Sequence, residues 1–529
     1  MKSQVKRIVA LALVALMLLA SGCGAAPSAT SATPTPSAGT AASAAPSATP
    51  VSTVPADEVT LKWMYHGSTV TDDTAVMTAV NDYLKPLINA KLEMQWCGWG
   101  DFDDRVKLAI NGGEDIDIYF TCSWSADEYS AYSKLGAFKR LDNPDNNLLE
   151  KVAPKLFDTL APVLAQAATT VGPEGTGVYA IPTYKEIAQS YTWDLNTDML
   201  AKYGYTPADV NSFYDFGPMF EKIKAGEGSS FYPFNSEPAV LERFVNNNDI
   251  VDTGLLLSYE FDPVDPTKSG TKLVSRYETA GYKAFVEQMR KYYEAGYVSP
   301  EAANAQTMAT NRAANETAAT YAIGTQVYYP GYENTTSPAR KITVNYKPAQ
   351  ASIVSTTSAR GAMQAISSTS KNPERALMLL NLVNTDAKLF TMLDYGLDGV
   401  HYTTEADGRI KFNQDVRKTY SPWAAGLGNN MLLPITTDEP ANKWDLFNQF
   451  NAAGKPVPII GWAFDSEPVK NEIAALTNVS KEYADALDAG YVDPATELPE
   501  FISKLKANGI DTVLAEAQSQ LDAFLASKK

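Results

Sequence analysis

Three pairs of residues stand where short hydrophobic runs end: Tyr65 with His66, Trp99 with Asp101, and Ser123 with Trp124. Each sets an aromatic face beside a hydrogen-bonding group, a combination that holds a ligand by stacking and directed hydrogen bonds. The alternative for each tryptophan is packing in a core, and for His66 a hydrogen-bonded structural role. Residues for other chemistries are missing from the chain. His66 and His401 are its two histidines, and beyond Cys23 the cysteines are Cys97 and Cys122, so no cluster has the short spacing of a zinc site. There is no G-x-S-x-G elbow, Walker loop or HExxH motif, and no cofactor is expected.

The elements that must position these residues follow from periodicity. Val59–Tyr65 reads as a strand, Ala75–Leu84 as a helix ended by Pro86, and 91–96 as an alternating strand. Asp103–Ile110 is helical and stopped by Asn111-Gly112-Gly113, and 116–120 is a third strand. Strands separated by helices imply βαβ units and a parallel sheet, whose ligands sit at the carboxyl ends of the strands. That rule selects Tyr65, His66, Trp99, Asp101, Ser123 and Trp124. Further on, 177–184 and 190–196 are extended, with a helix from near Thr197. Helices are expected around 215–225 and 281–295, and strands within 318–329 and at 362–366. Pro373–Thr385 reads as a helix capped through Ser370 and Glu374, and 467–524 as mostly helical with a break around 488–494. No short repeat is present. The expected class is α/β, as two lobes joined by more than one crossing.

At the amino terminus Lys2, Lys6 and Arg7 precede an apolar run of 13 residues, Ile8–Ala20. A bilayer span needs roughly 20, so residues 1–22 read as an export signal. Leu19-Ala20-Ser21-Gly22-Cys23 resembles a bacterial lipobox, which implies cleavage before Cys23 and lipidation of its sulfur. Residues 23–56 are almost wholly Ala, Ser, Thr, Pro and Gly, a composition that cannot bury enough apolar area to order itself. The net charge of −17, from 44 basic and 61 acidic residues, argues against nucleic-acid binding. Cys97 and Cys122 are either one disulfide in an oxidising compartment or two buried thiols.

Gly177-Val178-Tyr179-Ala180-Ile181-Pro182-Thr183-Tyr184-Lys185-Glu186, followed by 194–200, resembles the first hinge of the extracellular solute-binding proteins of carbohydrate ABC importers, the family of maltose-binding protein. Asn315–Gly324 resembles the family's later strand to the cleft, and 371–390 the helix after the return crossing. Two further stretches, 393–402 and 460–476, resemble a subgroup of Gram-positive lipoproteins with a large carboxyl-terminal extension.

The resemblance implies a two-lobed periplasmic-binding-protein-like fold of class II type, with several hinge crossings. Lobe 1 would comprise 57–186 plus about 360–400, and lobe 2 187–359 plus about 401–529, ending in a helical extension. It implies a monomer that is no enzyme, lies on the extracellular face of the cytoplasmic membrane, touches the membrane through its lipid alone, and passes an oligosaccharide to permease subunits. Sugars carry hydroxyls at their edges and C–H groups on their faces, which suits aromatic platforms flanked by polar groups. Within the family pattern Glu186 falls where a carboxylate accepts sugar hydroxyls, with Tyr184 beside it. Thr325, Gln326 and Tyr328 follow the later cleft strand, and Trp423 lies in a region that supplies a platform. Trp462 and Phe464 are expected to anchor the extension, and Arg360 to form a surface ion pair. The alternatives are a secreted glycoside hydrolase, with Asp101 and Glu186 as its two carboxyls, and a sugar-sensing or adhesive surface lipoprotein.

Overall fold

The computed structural model describes residues 54–67, 70–98, 100–124, 129–160, 162–235, 241, 248–251, 257–260, 266–303, 311, 314–331, 334–337, 342–348 and 352–528. The export signal, Cys23, most of the linker and Trp99 lie outside them. Runs rich in β-branched and aromatic residues form the strands, ten of which build two five-stranded sheets. These are β1 (Val59–His66), β2 (Ala90–Cys97), β3 (Ile118–Thr121), β4 (Ala180–Pro182), β5 (Tyr191–Asn196), β6 (Phe234–Asn235), β7 (Ile323–Val327), β8 (Asn334–Ser337), β9 (Ile342–Pro348) and β10 (Met363–Ile366). The first sheet has the order β2-β1-β3-β10-β4, and the second β8-β9-β5-β7-β6.

In the first sheet β1 pairs in parallel with β2 and β3, placing Tyr65 opposite Trp96 and Trp63 opposite Ile118. Parallel neighbours need crossover connections, supplied by the helices α1 (Thr74–Ile88) and α2 (Phe102–Gly112). Pro86 does not end α1, contrary to expectation. A proline withholds a single N–H from the helix, and α1 continues to Ile88 before Asn89 turns left-handed at φ 46° and bonds Lys85. β10 runs antiparallel to both β3 and β4.

Between the sheets three stretches of chain lie side by side. Gln189 exchanges backbone hydrogen bonds of 2.7 and 2.9 Å with Ile353, and Ile353-Val354 runs parallel to Lys455-Pro456. This is the hinge with several crossings that the two-lobed class requires.

The remaining helices that concern the site are α3 (Ala280–Glu294), α4 (Pro373–Thr385), α5 (Ala387–Tyr395), α6 (Lys443–Ala453), α7 (Lys470–Asp488), α8 (Pro494–Ala507) and α9 (Ile510–Ser527). α4 has the expected bounds but a different start. The Ser370 hydroxyl donates to Asp117 and accepts the N–H of Asn372, and Asn372, the residue before the helix, makes no side-chain cap. α7 packs on α3 and is fixed there by Asp488, which accepts from the Tyr282 hydroxyl at 2.7 Å and from Arg276 at 3.4 Å. Gly490 follows with φ 73°, and a Cβ there would fall 2.3 Å from the Met289 carbonyl oxygen, so the turn admits only glycine. Trp462 and Phe464 are buried at the head of the extension, where Lys134 holds the Phe464 carbonyl and the Asp465 carboxylate. No helix among the described residues is long and apolar enough to cross a membrane.

The chain from 401 to 433, which the sequence reading placed in lobe 2, makes contacts on the side of the first sheet. Tyr420 donates to the Leu393 carbonyl at 2.6 Å, Asn429 to that of Asn384 at 3.3 Å, and the Asn430 N–H to that of Tyr184 at 2.9 Å.

Candidate functional site

α6 organises the hinge crossover that carries Glu186. Asn451 accepts the N–H groups of Ile187 at 2.9 Å and Ala188 at 3.3 Å, and donates to the Lys185 carbonyl at 2.7 Å. One turn earlier Asn448 accepts from the Tyr184 hydroxyl at 3.0 Å. Four crossover residues are thereby clamped on one helix face, as the i, i+3 spacing of Asn448 and Asn451 allows.

The opposite turn of α6 faces a cavity of about 430 Å³, within the size range of small-ligand sites. Lys443, Trp444 and Phe447 come from α6, Glu186 from the crossover, Gln326, Val327 and Tyr329 from β7 and the residues after it, Tyr346 from β9, and Tyr395 from α5. Ala425, Asn430 and Leu433 complete the lining. The second sheet therefore contributes through its strands, and the side of the first sheet through α5 and the 425–433 loop. Lys185 donates to Glu186, and Lys443 lies 2.6 Å from Glu439 with its ammonium 4.3 Å above the Trp444 ring. Tyr329 is 42% exposed at the cavity, where partial desolvation, and then the charge of Glu186, push its phenol up. The result is aromatic faces interleaved with amide, carboxylate, ammonium and phenol groups.

A second aromatic cluster covers the carboxyl ends of β1 and β3. Tyr65 is fully buried and stacks on Trp423 with centroids 6.4 Å apart. His66 is buried with its ring 3.8 Å from that of Phe102, and burial lowers its pKa to about 4. Trp124 meets Trp423 edge to face at 6.0 Å and donates to the Gly361 carbonyl at 2.6 Å, which leaves its ring 51% exposed in a fixed pose. Trp423 and the cavity-lining Ala425 share one short loop.

The sequence-selected residues thus separate. Glu186 and Gln326 line the cavity, Tyr184 does not but is held by Asn448 and the lining residue Asn430, and Tyr65, His66, Trp124 and Trp423 gather in the neighbouring cluster. Thr325 is buried within β7 opposite Trp193. Tyr328 packs on Phe450 at 5.4 Å, Ser123 donates to the Thr357 carbonyl at 2.7 Å, and Asp101 is exposed before α2. Trp99 is outside the described residues. Arg360 is not a surface group: it is buried and donates to the carbonyls of Ala167 and Thr169 and to the Ser130 hydroxyl. Cys97 and Cys122 are separate buried thiols. Tyr329, Tyr346, Tyr395, Lys443, Trp444 and Phe447 were not selected from the sequence. The usable signal was the aromatic and amide spacing along α6.

Two α/β lobes, three adjoining crossings and a cavity lined by the second sheet, the crossover, α6 and α5 beside the first sheet are the arrangement of two-lobed solute-binding proteins. The chain is 28% identical over 460 residues, 86% of its length and 88% of the relative's, to a carbohydrate ABC transporter substrate-binding protein of Streptococcus pneumoniae serotype 4. Among solved structures it resembles the N-glycan transport solute binding protein NgtS of Streptococcus pneumoniae, with 27% identity and a TM-score of 0.75 over 89% of this chain and all of that one. It also resembles NgtS in complex with Man5GlcNAc, with 26% identity and a TM-score of 0.68 over the same shares. Residues 458–526 match the model of a domain of unknown function, DUF3502. These relatives are binding proteins and not enzymes.

Proposed function

We propose that this protein is a lipid-anchored receptor on the outer face of the cytoplasmic membrane, which closes on an oligosaccharide and presents it to the permease of an ABC importer. The cavity carries the reading: Glu186 from the hinge, Gln326 from the second sheet, Tyr395 from beside the first and Trp444 from α6 surround one space. Ligand contacts from both lobes favour the closed state only to the extent that the ligand binds it better than the open one. On this reading lobe 1 comprises about 57–186 and 360–433, and the hinge bends where Gln189, Ile353 and Lys455 adjoin. Glu186 and Gln326 accept and donate at sugar hydroxyls, with Tyr184 supporting Glu186, while Trp124 and Trp423 form a shelf for a ring outside the cavity. The short apolar run before Cys23 and the polar leash after it support tethering through a lipidated Cys23.

Calorimetry with Man5GlcNAc and Man1GlcNAc, the glycans of the NgtS complexes, alongside a glycan array and a product assay, tests the capture. Stoichiometric heat without cleavage is expected. Turnover, or a response to peptides with none to any glycan, defeats the reading. Cys23→Ala in the full precursor is expected to release the protein from the membrane and abolish palmitate labelling.

A further inference from the structure

The two charged residues that line the cavity, Glu186 and Lys443, are each paired. Lys185 is matched by Glu186 and Lys443 by Glu439, and all four side chains are nearly buried, at 12%, 12%, 11% and 14% exposure respectively. Glu439 is itself held, since its second oxygen accepts the Thr436 N–H at 3.1 Å. Lys443 is pinned above the Trp444 ring, and Arg360, the buried cation near the hinge, is committed to two carbonyls and a hydroxyl. The other described residues lining the cavity are uncharged. A carboxylated or amino sugar would lose its hydration on entering and find each opposite charge already engaged.

We propose that the cavity selects an uncharged oligosaccharide, and that Glu439, which is not part of the lining, sets this selectivity by neutralising Lys443. The proposal rests on the capture reading and adds the chemical class of the cargo. It assigns Glu439 a positioning role, exerted through Lys443 and not by contact with sugar.

The test is a glycan array carrying matched sets of one backbone with neutral, sialylated or uronic, and glucosamine ends, followed by calorimetry on the strongest set. Neutral members are expected to bind at least about 100-fold more tightly than their charged counterparts. A wild-type preference for a charged member overturns the proposal. No binding by any member defeats the capture reading itself, and this inference with it. Glu439→Gln is expected to retain neutral binding and to narrow the gap to acid-ended members about tenfold, because Lys443 then lacks its counter-charge. Glu439→Asp is expected to restore the wild-type ratio. An unchanged gap in Glu439→Gln removes Glu439 from the explanation. Should that variant fail to fold, the salt dependence of the wild type decides. Affinity for the neutral member is expected to be flat between about 50 and 500 mM NaCl, where a charge-led contact would be screened, and a tenfold fall overturns the proposal.

Discussion

The Tyr65 hydroxyl donates to the Trp423 carbonyl at 2.7 Å, and the two rings stack with their planes 15° apart, although 358 residues separate them. This bond and this stack, with His66 meeting the same indole edge to face, join the first strand of the first sheet to the loop that reaches the cavity. Tyr65→Phe keeps the stack and removes the bond. A buried bond of this kind contributes about 1 kcal/mol, more when the remaining partner is left without water. Urea denaturation is expected to show a loss of about 1–2 kcal/mol, with glycan affinity falling a few-fold as the loop loosens. Unchanged stability with unchanged affinity would mean that the loop is fixed by other contacts.

Trp124 and Trp423 touch each other yet predict opposite phenotypes. Trp423 also packs on Tyr65, His66 and Phe120, so Trp423→Ala is expected to cost about 2–4 kcal/mol of stability. Trp124 is half-exposed, with its indole N–H on the Gly361 carbonyl and its ring beside Phe120 and Trp423. Trp124→Ala is expected to cost under about 1 kcal/mol while lowering affinity for longer oligosaccharides tenfold or more. Melting curves paired with calorimetry separate the two effects. Full affinity in a stable Trp124→Ala protein would remove Trp124 from the ligand shelf.

The strands and the early helices were legible because their apolar period is local: 2 along β1 and 3.6 along α1 and α2. The resemblance to the family's hinge and later cleft strand brought Glu186 and Gln326 into the selection. Gln326 and Val327 reach the cavity at the end of β7 while Thr325 is enclosed within the sheet, and sequence alone did not say where along the strand the cavity would open. Lys443, Trp444 and Phe447 escaped because an amphipathic helix carries aromatics on its core face as readily as on a ligand face. Tyr395 reaches the cavity only because α5 packs beside the 430–433 loop. Pro86 was read as a stop since the sequence does not reveal how little helix remains after it.

Glu186 is the residue whose loss tests the cavity most directly. Its carboxylate holds Lys185 and faces the cavity. Glu186→Gln keeps the shape and a neutral hydrogen bond but loses the charge-assisted acceptor, worth about 1.5–3 kcal/mol when made to a ligand. The affinity of the best neutral glycan is expected to fall about 10- to 100-fold, with stability falling by up to about 3 kcal/mol because the nearly buried Lys185 is left without its counter-ion, so affinity is measured well below the melting transition. Calorimetry showing wild-type affinity would place the sugar elsewhere in the cavity.

His66 gives the fold a pH dependence whose sign is fixed by its burial. The ring is 2% exposed against Phe102, and burial lowers its pKa from 6.5 to about 4. Between those values the unfolded chain binds a proton that the folded chain refuses, so stability rises with pH across that window. The contribution is complete above pH 6.5, is lost as the pH falls to about 4, and amounts to at most about 3 kcal/mol. Asp394 opposes it. Its carboxyl is fully buried, neither oxygen has a hydrogen-bond partner among the described residues, and burial holds its pKa well above the usual range, against the pull of Arg417 and Lys443. The folded state therefore keeps that proton longer than the unfolded one, and this second contribution is lost as the pH rises. Wild-type denaturation alone mixes the two slopes. Comparing Asp394→Asn with the double variant Asp394→Asn/His66→Gln isolates His66, because the carboxyl is absent from both. The stability gap between these two proteins is expected to be largest at pH 7 and to shrink towards pH 4, and a gap that stays constant over that range would show that His66 titrates alike in the folded and unfolded chains.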